Sequence, residues 1–279
     1  MHIYISVDVE GINGICHSSQ TQPNESGYEN MLQLLHAEVN SVIEELENCG
    51  VTKITVSDSH WDMRNLKIEL LHPLARLISG SPRSFSMLPL IDELSPDGII
   101  MLGYHSKIGS ESGVLGHTYR AKVFRDVKVN DVSVGEFGLN AILATTFDIP
   151  IMLVTGDNVL QDEVLALNPL TNFHVSKQAI NKYSAIYNSY LENLTNLKFN
   201  TDKAFKNKNT WVKLSHFKAP FKLNIKFFCP SMADGACLIK NVKRVNNDTI
   251  EFVDDEYSNI FKTMLAVGAI GSTRINSFF

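Results

Sequence analysis

Acidic and imidazole side chains recur where apolar, strand-like segments of this chain run out. The first segment, His2-Ile3-Tyr4-Ile5-Ser6-Val7-Asp8-Val9-Glu10-Gly11, finishes on two carboxylates. The second, Lys53 to His60, finishes on Asp58 and His60, and the third, Gly98 to His105, closes on His105. Asp8 and Glu10 are two apart, so on a strand they leave the same face. Two carboxylates buried side by side raise each other's pKa, and a divalent cation between them removes that repulsion. Asp58 and His60 share the same spacing, so either can be a ligand with the other orienting it. This mixture of oxygen and nitrogen donors suits zinc, with manganese and cobalt also fitting.

His117 lies between Gly116 and Thr118, beyond the polar, glycine-containing loop Ser106 to Gly116. One reading is a surface hairpin start; the other is an imidazole carried over bound metal to move a proton. Glu136 follows Gly135 at a predicted helix start, where an acid complements the helix dipole without further purpose. Asp157 reads as an N-cap before Asn158 and is not assigned as a ligand. The remaining histidines, such as His36 and His174, have no partner in the sequence.

Stepping outward, open α/β sheets bind ligands outside the carboxyl ends of their strands. The elements fit such a sheet. Met31, Leu35, Val39, Val42 and Leu46 recur at helical spacing, Gly50 supplies a stop, and Ile3 to Asp58 forms a βαβ unit. Asn65 to Leu71 is expected to be helical and Ala75 to Ser79 a short strand. Strands are expected at Thr118 to Phe124 and Val127 to Val129, with a turn at Asn130-Asp131 before Val132 to Val134. A helix follows to about Thr146, then a buried strand at Ile149 to Thr155. Farther on, Asn181 to Leu197 reads as a helix, Asn200 to Asn209 as a polar helix or linker, and Phe221 to Phe228 as a strand. A hairpin around Asn246-Asn247-Asp248 and a helix from Tyr257 to Ile270 complete the chain. The expected class is α/β, with a mostly parallel sheet flanked by helices in the N-terminal part and a smaller α+β C-terminal part. The expected division is 1–199 and 200–279, with a soft boundary near Asn200.

Bulk composition narrows the function. The chain has 279 residues, 44% of them hydrophobic, which is enough for a substantial core. A net charge of -5 and the lack of a basic run give no electrostatic case for nucleic acid. No apolar run approaches the roughly 20 residues of a membrane span. The N-terminus enters a strand at once, without a signal-peptide pattern. Cys16, Cys49, Cys229 and Cys237 have no CxxC spacing and read as reduced thiols. A cytoplasmic protein without membrane or nucleic-acid partners is expected.

The order of motifs resembles the M55 peptidase family of zinc-dependent D-aminopeptidases. The match is carried by Ser6-Val7-Asp8-Val9-Glu10-Gly11, Ser57-Asp58-Ser59-His60, Ser84-Phe85-Ser86-Met87, Leu102-Gly103-Tyr104-His105, Gly113-Val114-Leu115-Gly116-His117 and Val134-Gly135-Glu136-Phe137-Gly138-Leu139-Asn140-Ala141. It covers Met1 to about Asp157 and thins after Gln178. The resemblance implies two zinc ions per subunit. Asp8 would bridge them, Glu10 and His60 would complete one site, and His105 and Glu136 the other. His117 matches the family's catalytic histidine, described there as a nucleophile; the residues themselves support an acid–base role at least as readily. A ring-shaped homo-oligomer is also implied, with a decamer as one form.

The chemistry expected from these residues is metal-assisted hydrolysis of a short peptide from its amino end, with D-aminoacyl peptides as the implied substrates. The alternatives are another two-metal hydrolase, an amidohydrolase or phosphoesterase, or a non-catalytic dipeptide-binding ring protein. Against phosphate, the chain has no P-loop, and only Arg120 and Arg125 lie near the motifs.

Overall fold

Strand β1 (His2–Val7) opens a chain that continues through α1 (Tyr28–Asn48), β2 (Lys53–Asp58), β3 (Ala75–Ile78), α2 (Ile91–Leu94), β4 (Gly98–Leu102), β5 (Phe124–Val129), β6 (Val132–Ser133) and α3 (Glu136–Thr146). Then follow β7 (Ile151–Asp157), α4 (Asn158–Leu167), β8 (Phe173–Asn181), β9 (Ser184–Tyr187), α5 (Tyr190–Lys206), β10 (Phe221–Phe227), α6 (Pro230–Ala236), β11 (Lys243–Arg244), β12 (Thr249–Asp254) and α7 (Tyr257–Ser272). The structure, a computed structural model, describes residues 1–275. Among them, no helix is long and apolar enough to cross a membrane.

The larger sheet has the order β3-β2-β1-β4-β7-β8-β9. Its neighbours are parallel except in the β8–β9 hairpin. From β1 the chain moves outward to β2 and β3, then returns to β4 on the other side of β1. That reversal places the topological switch point, where such sheets bind ligands, between β1 and β4.

Both faces of this sheet are covered, which explains continuous apolar strands such as Gly98-Ile99-Ile100-Met101-Leu102. Ile3, Ile5 and Val7 pack with the α1 stripe of Leu35, Val39, Val42 and Leu46. The intervening Tyr4 belongs to the opposite core, with Phe137 of α3 and Phe261 of α7. Each fully buried aliphatic chain in these layers contributes about 1.5–3 kcal/mol.

A second, antiparallel sheet has the order β11-β12-β10-β5-β6. Phe221, Leu223, Ile225 and Phe227 alternate inward from β10 onto the core shared with α6 and α7. The fold class is therefore mixed α/β, as expected. The break expected near Asn200 falls inside α5, and β5 and β6 come from the first part of the chain. The division into 1–199 and 200–279 thus does not separate the two sheets.

Four local expectations are corrected. The first strand ends at Val7 and the third at Leu102, so Asp8, Glu10 and His105 stand on loops beyond them. Asn65 to Leu71 forms only a short 3-10 turn at Ile68–Leu70, and the backbone N–H groups of Asn65 and Leu66 before it donate to Asp58. Thr118 to Val123 is a turn before β5, with the Tyr119 N–H donated to Glu136. Asn181 to Tyr187 belongs to a hairpin, whose turn is held by Tyr183 N–H on the Asn181 side chain. The helix starts only after the Ser189 cap.

Candidate metal centre

The loop after β1 is laid across the end of β4. Asp8 N–H still donates to Leu102 O at 2.8 Å, and Gly11 N–H to Gly103 O at 2.8 Å. A Cβ on Gly11 would lie 2.0 Å from Tyr104 O, so only glycine fits this crossing. The turn beyond Val7 places Asp8 and Glu10 in one buried space.

His60 reaches the same space from beyond β2. Its Nδ1 lies 3.1 Å from Asp8 Oδ1 and 3.1 Å from Glu10 Oε2. His105, beyond β4, places Nε2 3.5 Å from Asp8 Oδ2 and 3.4 Å from Glu136 Oε1. Glu136 arrives from the first turn of α3. Asp8 thus stands between two pairs, Glu10 with His60 and His105 with Glu136. All five side chains are buried. His117 stands at the rim, 21% exposed, with Nε2 3.7 Å from Glu136 Oε1. All six residues singled out in the sequence, Asp8, Glu10, His60, His105, His117 and Glu136, therefore meet.

The tautomers follow from backbone partners. A carbonyl oxygen only accepts, so each imidazole nitrogen bonded to one must donate. His60 Nε2 donates to Thr21 O at 2.8 Å, His105 Nδ1 to Ser106 O at 3.0 Å, and His117 Nδ1 to Leu115 O at 3.0 Å. In each neutral ring the other nitrogen keeps its lone pair and faces the carboxylates. Lone pairs and carboxylate oxygens aimed at one another repel unless a metal cation or a ring proton lies between them. Asp8 Oδ2, Glu10 Oε2 and His105 Nε2 are buried without a hydrogen-bond partner. One donor atom each from Asp8, Glu10 and His105 lies within 4.8 Å of the others, as for His105, His117 and Glu136. The donor set fits a divalent metal with mixed nitrogen and oxygen ligands.

The titration of these groups shows the same crowding. Burial, reinforced by Glu10, pushes Asp8 up to about 7. Burial also pushes Glu10 up, but the facing His60 outweighs it and holds the carboxyl well below its usual range. Burial disfavours the charged forms of His60 and His105; Glu10 and Glu136 respectively overcome it and raise both. For His117 burial and the neighbouring His105 act together and lower it, which favours a neutral ring.

Several residues hold the loops. Asp58 accepts from Leu66 N–H at 2.7 Å and Asn65 Nδ2 at 2.9 Å, while the same Asn65 amide donates to His60 O at 2.9 Å. Of the Asp58–His60 pair, then, His60 enters the centre and Asp58 fixes its loop. Asp157 caps α4 through Leu160 N–H and accepts Val114 N–H, both at 2.8 Å. Glu163 was not singled out in the sequence. It accepts from Lys107 N–H at 2.7 Å and Gly135 N–H at 3.0 Å, tying the His105 loop to the start of α3. As one acid on an amphipathic helix, it gave no sequence signal.

A buried centre of carboxylates and imidazoles at the switch point of a doubly wound sheet offers the donor set of a metal-dependent enzyme. The M55 peptidase family model, described as D-aminopeptidase, matches residues 1–266, and the chain belongs to this family. It is 33% identical over 268 residues to the D-aminopeptidase of Bacillus subtilis (strain 168), covering 96% of each chain. The solved structure of the Zn-dependent D-aminopeptidase DppA from Bacillus subtilis, described as a self-compartmentalizing protease, superposes with a TM-score of 0.93. Its identity is 31%, and 98% of each chain is covered. The chain is accordingly a metallopeptidase.

Proposed function

We propose that this protein is a zinc-dependent aminopeptidase that removes the N-terminal residue of short D-aminoacyl peptides at a dinuclear centre. The observation that carries the reading is the convergence of Asp8, Glu10, His60, His105 and Glu136 around buried donor atoms that have no hydrogen-bond partner. Asp8 would bridge the two ions, with Glu10 and His60 on one and His105 and Glu136 on the other. When bound, zinc supplies Lewis acidity that polarises the scissile carbonyl and acidifies water toward about neutral pH.

The chain's own groups do the rest. His117 is held with Nδ1 on Leu115 O, so Nε2 is the proton-accepting atom, and it faces Glu136. It takes a proton at Nε2 and passes it to the leaving amine, an acid–base role. Asp157 is buried, and each of its carboxylate oxygens accepts a backbone N–H, so it holds the loops rather than receiving the substrate's α-amino group. The D-aminoacyl preference is taken from the descriptions of the family and its relatives.

A homo-oligomeric assembly belongs to the same proposal. The relative's description as self-compartmentalizing supports it, and so do the exposed apolar side chains of Ile180, Tyr183, Ile186, Leu191 and Phe199 on β8–β9 and α5. A cytoplasmic setting suits four free cysteines.

The test is a panel of D- and L-aminoacyl dipeptides beside a generic phosphoester, assayed with purified protein of known zinc content. Hydrolysis of D-aminoacyl dipeptides with two zinc ions per chain supports the reading. Turnover of the phosphoester alone, or full activity without zinc, contradicts it.

A further inference from the structure

Lys177 is fully buried in β8, in the layer beneath the centre. A buried ammonium is costly unless its donors are satisfied. Among the described residues, no carboxylate pairs with it. Its three donors go to the backbone carbonyls of Glu10, of Ile12 at 2.8 Å and of Ile15 at 2.6 Å. That is the full donor capacity of a lysine. The adjacent Ser176 hydroxyl bonds Gly11 O, and also lies 3.1 Å from Gly156 O.

The geometry is unusual for a loop anchor. In the sheet, β8 is separated from β1 by β4 and β7. The loop after β1 must cross the ends of both strands to meet Lys177. It runs close above the continuation of β4: a Cβ on Gly11 would lie 2.0 Å from Tyr104 O, and Gly11 O shares the Ser176 hydroxyl with Gly156 O at the end of β7. The carbonyls of residues 10, 11, 12 and 15 thereby all turn toward β8. The Glu10 side chain turns the other way, onto His60. A packing role would be filled by methionine, which has similar length and no charge. Only a multiple hydrogen-bond donor can gather carbonyls from three separate peptide units.

We propose that Lys177, assisted by Ser176, is the positioning residue for Glu10. It collects the carbonyls of the loop after β1 and so fixes the Glu10 carboxylate against His60. The inference rests on the metal-centre reading above and adds a residue outside the candidate ligand set.

The experiment is a double-mutant cycle read in zinc affinity, by chelator competition on the full-length protein, with thermal unfolding of the metal-stripped protein in parallel. Lys177→Met is expected to weaken zinc binding by about 10–100-fold, the scale of outer-shell partners. Because Lys177 acts through Glu10, the pair Lys177→Met with Glu10→Gln should bind no more weakly than Glu10→Gln alone. With Glu136→Gln the losses should multiply, as for independent sites. A general structural role would multiply with both.

Wild-type affinity in Lys177→Met, or losses that multiply with Glu10→Gln, overturns the proposal while leaving the centre intact. Wild-type affinity in Glu10→Gln overturns the metal-centre reading, and this proposal with it. If Lys177→Met does not fold, Ser176→Ala decides by the same pattern at smaller amplitude: coupling to Glu10 supports the proposal, and multiplying losses overturn it.

Discussion

His117 lies flat against His105, with ring centroids 4.1 Å apart and planes 12° from parallel. The stack joins a candidate ligand to the candidate proton carrier. A positive charge on one ring disfavours a second on the other, and burial adds to that, so His117 stays neutral with Nε2 free.

Replacing His117 should therefore separate chemistry from metal binding. His117→Ala is expected to lower kcat by about 10²–10⁴-fold while zinc content stays at the wild-type level. Steady-state kinetics beside metal analysis checks this. Wild-type kcat would remove His117 from the reaction.

His60 offers the complementary case. His60→Ala removes the imidazole 3.1 Å from Glu10 Oε2 and leaves that carboxylate beside Asp8. At least one zinc equivalent and nearly all activity should be lost together. A variant that kept full metal and full turnover would exclude His60 as a ligand.

Zinc should also stabilise the fold. The repelling Asp8 and Glu10 carboxylates are buried side by side, and a cation between them relieves the repulsion. At a free zinc concentration a thousandfold above Kd, the gain is about 4 kcal/mol. Calorimetry with and without chelator should show a clear drop in Tm on stripping. Superimposable transitions would contradict it.

Glu38 gives a pH dependence outside the candidate ligand set. It lies buried in α1, where Oε1 accepts Asn13 N–H at 3.0 Å and Asn193 Nδ2 at 2.8 Å. Burial pushes its carboxyl up to about 7 from the ordinary 4.5. Between these values the folded chain holds a proton that the unfolded chain has released. Stability therefore falls as pH rises from the unfolded value to the folded one, by about 3 kcal/mol in all. Glu38→Gln lacks this slope. Urea unfolding at pH 5 and pH 8 should show the variant gaining on wild type by that amount; an unchanged difference would sink the assignment.

Much of the centre was legible because acids and imidazoles at the ends of apolar runs are expensive to bury without a partner. Asp8, Glu10, His60 and His105 could be read that way, and the sheet order then brought their strands to one switch point. Glu136 was different: a helix-start acid explains itself locally, and only the family resemblance drew it in. Glu163 gave no signal, and Lys177 showed only as part of the faint family match at Ser176-Lys177-Gln178, because the partners of both are backbone groups of loops distant in sequence, which side-chain patterns do not encode. Asn181 to Tyr187, the turn and second strand of the hairpin, reads as helix because the Asn181 turn and the Ser189 cap lie only a few residues apart, so the helix that begins after Ser189 has no clear start in the sequence.

The most direct test is an anomalous-scattering map at the zinc edge from crystals grown with zinc. Two peaks are expected, one shared by Asp8, Glu10 and His60 and one shared by Asp8, His105 and Glu136. A map without peaks among these five side chains would contradict it.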